Sequence, residues 1–129
     1  MDPLTELIEL IDRYFAVWNE TDPERRRDLI ARTWADDAAY LDPLVRGDGP
    51  DEIDAMTAAV QSQFPGLRFR RTGNIDAHHD RVRFGWELGP ENDDAALAGG
   101  VDFGVVAPDG RLQQITGFLD FAPPTQAAA

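Results

Sequence analysis

The apolar residues of this chain change period at Leu67. Up to Phe64 they recur every three or four positions, as on one face of a helix; from Leu67 they alternate, as on a strand buried on one side. A chain that forms its helices first and its strands afterwards is restricted to α+β architectures, in which a mainly antiparallel sheet packs on the helices. At 129 residues there is material for one core, so both halves must share it.

Asp2-Pro3 opens the first helix, with a capping carboxylate followed by proline at the first helical position. Leu4, Leu7, Ile8, Ile11, Phe15 and Trp18 predict a helix over about residues 3 to 19, with Tyr14 on the same stripe. Thr21-Asp22-Pro23-Glu24 starts a second helix, Thr21 and Glu24 having capping-box spacing. Leu29, Ile30, Thr33 and Trp34 face inward from it, Arg25, Arg26 and Arg27 form its solvated start, and Asp36-Asp37 ends it. Ala38 to Asp42 reads as a short strand closed by Pro43, and Arg46 to Pro50 as a loop. A third helix opens near Pro50, carries Asp51 and Glu52 in its first turn, points Ile53, Met56, Val60 and Phe64 inward, and stops at Pro65-Gly66. Strands follow at about 67 to 77, 81 to 89, 96 to 107 and 111 to 121, joined by links short enough for antiparallel neighbours. The expectation is one domain over residues 1–121 and a disordered C-terminal tail over 122–129, where no period survives.

Side-chain counts exclude several chemistries. There is no cysteine and no lysine, which removes thiol nucleophiles, thiolate metal sites, Schiff-base amines and the lysine of a phosphate-binding loop. The one serine, Ser62, lies between Gln61 and Gln63 rather than in a nucleophile elbow. His78 and His79 are adjacent, fall in a hairpin turn and cannot alone build a three-histidine zinc site. Twelve arginines against 24 acidic residues give a net charge of −12, which is repelled by nucleic acid and by anionic membranes. The N-terminus lacks a signal-peptide pattern and no window is apolar enough to span a bilayer, so a soluble, cytoplasmic protein is expected. Carboxylates, tyrosines and arginines are left to carry chemistry.

Three residues stand out. On the strand Ala98 to Val106, alternation places Asp102 on one face with Gly100 and Gly104, which reads as a carboxylate with empty volume beside it. Tyr40 and Asp42 share one side of their strand, and Tyr14 lies on the apolar stripe of the first helix. Taken singly, Asp102 also fits a solvent-facing strand residue, Asp42 a turn initiator before proline, and Tyr14 a core aromatic.

Together, Arg13-Tyr14, Ala35-Asp36-Asp37-Ala38 leading to Asp42-Pro43, and Asp102 ahead of Gly110-Arg111-Leu112-Gln113 resemble the ketosteroid isomerase pattern of the nuclear transport factor 2-like superfamily. The chain is also similar to the SnoaL-like polyketide cyclase branch. The resemblance spans residues 1 to about 121, in the same order of helices and strands. It implies a cone-shaped, curved antiparallel β-sheet wrapped around three N-terminal helices, the cystatin-like α+β barrel. It further implies that Asp42 is a general base, and that Tyr14 and a protonated Asp102 form an oxyanion hole for a small apolar ligand bearing a carbonyl. No cofactor or metal is implied. Trp18, Trp34, Tyr40, Met56, Phe64, Trp86 and Phe118 are the candidate walls, and an apolar pocket is what would keep Asp102 protonated. Asp120 resembles the position of an acid in limonene epoxide hydrolases, yet Gly85-Trp86-Glu87-Leu88 offers no counterpart to the arginine and aspartate pair of those enzymes. The alternative use of the same fold is a non-catalytic ligand-binding or dimeric scaffold domain. A homodimer through the β-sheet face is expected, with Phe84 and Trp86, or Leu119 and Phe121, as its apolar contacts or as further pocket wall.

Overall fold

The computed structural model describes residues 2–92 and 95–122. The expected tail thus lies, Ala122 apart, outside the described residues. The order of elements is α1 (Pro3–Asn19), α2 (Pro23–Thr33), β1 (Trp34–Leu41), β2 (Arg46–Asp48), α3 (Gly49–Gln63), β3 (Leu67–His78), β4 (Arg81–Pro90), β5 (Ala98–Val106) and β6 (Leu112–Phe121).

The helix starts follow their caps. Asp2 accepts from the Thr5 amide at 2.9 Å, with Pro3 opening α1. Asp22, rather than Thr21, caps α2 by accepting from the Arg25 amide at 2.9 Å. The inner stripe of α1 is Leu10, Ile11, Tyr14, Phe15, Val17 and Trp18, while Leu4 and Ile8 in the first two turns stay exposed.

α2 stops earlier than its apolar pattern implies, and Trp34, Asp36 and Asp37 belong to β1. Arg111 explains the stop: its guanidinium donates to the carbonyls of Ala31 and Trp34 at 3.0 and 3.1 Å, satisfying helix-end acceptors that a further turn would have used. Arg26 is buried rather than solvated. Its position four residues before Ile30 turns it inward, where it donates to Asp54 Oδ1 at 2.6 Å, and to Gln61 Oε1 and the Glu20 carbonyl at 3.0 Å each.

The six strands form one curved, unclosed sheet in the order β2-β1-β6-β5-β4-β3. It is mixed rather than wholly antiparallel, because β1 pairs with β6 in parallel. The chain leaves β1 through β2 and α3, enters β3 at the far edge, and returns through three antiparallel steps, so β6 arrives beside β1 running the same way. β2, read from sequence as loop, is a three-residue antiparallel partner of β1.

Register shifts interrupt the ladders between Thr72 and Asp76, between Gly99 and Gly100, and between Val105 and Val106; such bulges bend a sheet. At Gly100 a side chain is forbidden, since a Cβ would collide with the Phe118 carbonyl oxygen. The concave face closes over α1, and Tyr14, Trp34, Phe84, Ile11, Ile53, Leu112 and Ile115 form the centre of the core. No helix among the described residues is long and apolar enough to cross a membrane.

Candidate functional site

One apolar cavity of about 90 Å³ opens at the end of the sheet where α1, α3 and the turn after β1 meet, and its lining includes Tyr14, Tyr40, Asp42 and Asp102. The polar groups reach it from three elements. Alternation on β5 turns Asp102 inward, leaving it 3% exposed, while its neighbour Phe103 points out. From α1, Tyr14 donates its hydroxyl to Asp102 Oδ2 at 2.7 Å. Oδ1 of the same carboxyl is buried and has no partner among the described residues. Burial, above all, pushes Asp102 up to about 7; the Tyr14 hydrogen bond pulls the other way, and the Asp42 charge adds to the rise. A neutral Asp102 therefore keeps its proton on Oδ1, because Oδ2 already accepts from Tyr14.

Asp42 terminates β1 by closing a turn on itself: Oδ1 accepts from the amides of Leu44 and Val45 at 2.8 and 2.9 Å, and its own amide donates to the Val45 carbonyl. Oδ2 accepts from the Tyr40 hydroxyl at 2.6 Å. An ionised carboxylate offers about four acceptor positions, so one remains, on Oδ2. Both tyrosines hold their protons well above the ordinary phenol range. Burial is the main cause for each, followed by the Asp102 charge, with the Asp42 charge adding to the effect at Tyr40.

The two tyrosine–carboxyl pairs meet across Gly117 of β6. A Cβ there would stand 2.8 Å from Asp102 Oδ1, 3.2 Å from Asp42 Cβ and 3.3 Å from the Tyr40 hydroxyl. Gly117, not Gly100 or Gly104, is the glycine that makes room at the site. The volume beside Gly104 is filled by Ile115 and Val82, and that beside Gly100 by the Phe118 backbone and Trp86. A glycine in the middle of an alternating strand was the available signal.

Of the expected walls, Trp18, Tyr40, Phe64 and Trp86 line the cavity. Trp34 does not: at the α2–β1 junction it is sealed in the core, edge-on to Tyr14 and Tyr40 at 5.8 and 6.4 Å, and so buttresses both site tyrosines. Met56 packs from α3 into the core outside the lining. Phe118 lies on the outer face, 50% exposed and edge-on to Phe103, because an inward Gly117 forces its neighbour outward and brings Leu119 to the cavity instead. Phe84, expected as a dimer contact or wall, is buried in the core.

Phe15 and the cross-strand pair Phe69 and Leu88 were missed as wall residues, although both members of that pair lie on alternating strands. Phe69 links Trp18 and Trp86 into one aromatic wall, with ring centroids 5.1 and 5.8 Å apart. The Trp86 indole nitrogen is likewise buried with no hydrogen-bond partner among the described residues. His78 and His79 sit at the β3–β4 turn with their Nδ1 atoms 3.0 Å apart, outside the lining, and Asp120 is exposed on β6. Among the described residues no group of three or more histidine, aspartate or glutamate side chains is arranged to hold a metal ion.

Comparison with known proteins agrees with this architecture. The model of the SnoaL-like domain matches residues 11–115. A crystal structure from Agrobacterium tumefaciens C58, described as a proposed isomerase of the SnoaL-like family, is 42% identical, with a TM-score of 0.82 over 90% of this chain and 98% of that one. A proposed SnoaL-like polyketide cyclase from Jannaschia sp. CCS1 is 20% identical, with a TM-score of 0.72 over 93% and 90% of the two chains. A protein of unknown function with a cystatin-like fold from Nostoc punctiforme is 17% identical, with a TM-score of 0.73 over 97% and 98%. These last two share the fold. No curated protein matches the chain. The chain belongs to the SnoaL-like family.

Proposed function

We propose that the cavity catalyses proton transfer next to a carbonyl group, in the manner of a ketosteroid isomerase or polyketide cyclase, without a cofactor. The observation that carries the reading is the unpartnered Oδ1 of a buried Asp102, facing Asp42 across Gly117. In this scheme the substrate carbonyl oxygen accepts the Asp102 proton-bearing Oδ1 as its hydrogen-bond donor. Tyr14 supports that donor from behind, through Oδ2, and the two together serve as the oxyanion hole. Asp42 takes the α-proton on the free position of Oδ2, the electron pair moves onto the carbonyl oxygen as an enolate, and the proton returns to carbon as the carbonyl re-forms. Tyr40 and the Leu44 and Val45 amides hold the base in place.

The test is deuterium exchange at the α-carbon of a small ketone, followed by NMR beside a titration with planar phenols, which mimic an enolate. Asp42→Asn is expected to slow exchange by about 10²- to 10⁴-fold and leave phenol binding intact. Tyr14→Phe and Asp102→Leu are expected to weaken phenol binding. Exchange unchanged in Asp42→Asn refutes the base assignment and supports the second reading, a ligand-binding domain without turnover. What favours that second reading is the turn itself, which by capping Leu44 and Val45 gives Asp42 a complete structural role. We also infer that two copies pair through the outer face of β5 and β6, where Phe103, Phe118 and Phe121 are exposed together.

A further inference from the structure

The cavity that holds the proposed chemistry has a second property, the kind of molecule it admits. Its lining brings two carboxyl groups, Asp42 and Asp102, to one polar end, and no arginine or histidine lines it among the described residues. Apart from the neutral amide of Gln63, the rest is aromatic and aliphatic wall, so an entering anion would leave water for a site with no opposite charge to receive it. The volume is restrictive as well. An apolar cavity of about 150 Å³ holds one benzene ring, whereas this one measures about 90 Å³. Leu44, which lines it and is 68% exposed, marks the mouth.

We propose that the site selects a compact, uncharged carbonyl compound, a single small ring or a short chain, and rejects carboxylates and fused polycyclic ketones. This rests on the reading of the cavity as the functional site. One acceptor oxygen satisfies Asp102 Oδ1, the carbon next to it lies toward Asp42, and no room is enclosed for a second or third fused ring.

Four probes test this on the intact protein at pH 6, read through the indole NMR signals of Trp18 and Trp86, which line the cavity, with core-bound Trp34 as internal control. The probes are cyclopent-2-enone, the isosteric pair isobutyramide and isobutyrate, and a tetracyclic enone. The enone and the amide are expected to shift the Trp18 and Trp86 signals and leave Trp34 in place. Isobutyrate is expected to bind at least about tenfold more weakly than the amide, and the tetracyclic enone more weakly than cyclopentenone. Isobutyrate equal to the amide overturns selection against carboxylates, and a tetracyclic enone tighter than cyclopentenone overturns selection by size; in each case the site itself survives. If none of the four moves either lining indole, the reading of the cavity as the functional site fails, and the selectivity with it.

Discussion

Asp102 ties the site to the stability of the fold. Its carboxyl rises from an ordinary 3.8 to about 7 on folding, so between those values the folded state holds a proton that the unfolded state has lost. For a group raised in this way the contribution is complete below pH 3.8 and is lost as pH climbs through about 7. The wild type is therefore expected to lose up to about 4 kcal/mol between pH 4 and pH 7 through this one residue. Asp102→Asn, which can still accept from Tyr14, removes that slope. Urea melts at pH 5 and pH 8 should show the variant gaining on the wild type at the higher pH; parallel curves would mean that Asp102 stays ionised in the fold. Gly117 supplies the complementary test. A methyl group there meets Asp102 Oδ1 at 2.8 Å, and that oxygen cannot retreat easily while Tyr14 grips its partner oxygen. Gly117→Ala is expected to cost about 1–3 kcal/mol in the same melts and to abolish phenol binding. Retained binding would show that the two carboxyls do not share one ligand.

At the scale of elements, α2 is held to α3 by a buried charge rather than by apolar contact alone. Arg26 makes two hydrogen bonds across that junction, to Asp54 and Gln61, and a third to the Glu20 carbonyl at the end of α1, and truncating it strands the acceptors it served. Arg26→Ala is expected to cost about 3–5 kcal/mol in a urea melt, well beyond the effect of Arg25→Ala on the exposed side of the same helix. An equal, small effect at both positions would reduce Arg26 to a surface arginine. This junction also marks where sequence reading runs out. Helix starts are local events: Asp2-Pro3 was readable as a capping carboxylate and a proline, and Thr21 to Glu24 marked the start of α2, although its cap is Asp22 rather than Thr21. The end of α2 depends on Arg111, nearly eighty residues away in the chain, and the burial of Arg26 on a partner in α3, so neither leaves a local trace. The same holds for the parallel pairing of β1 with β6, which no turn encodes. At the site, alternation grouped Asp102 with Gly100 and Gly104, and Tyr40 with Asp42, without fixing which side faced inward, and resemblance brought Tyr14, Asp42 and Asp102 together. What alternation could not show is what fills the space beside those glycines: side chains of Ile115 and Val82 at Gly104, and the Phe118 backbone and Trp86 at Gly100.

At the scale of the whole molecule, the net charge of −12 and the phenylalanines of the outer face oppose each other. Two copies approaching through β5 and β6 gain by covering Phe103, Phe118 and Phe121, yet each carries a strong excess of negative charge that repels the other over about 10 Å at ordinary salt. Association driven by apolar area against such repulsion strengthens as salt is added, the opposite of a contact built on ion pairs. Light scattering coupled to size exclusion should therefore give a mass near twice 14.3 kDa, with the dimer fraction rising as the salt concentration is raised. Phe118→Arg is expected to return the protein to a monomer at every salt concentration. Phenol binding should persist in that variant, because Phe118 faces away from the cavity. A wild type that remains monomeric at high salt removes the outer face as a self-association surface. A Phe118→Arg monomer that has lost phenol binding would instead show that pairing holds the sheet in the curvature that brings Asp42 and Asp102 to the same glycine.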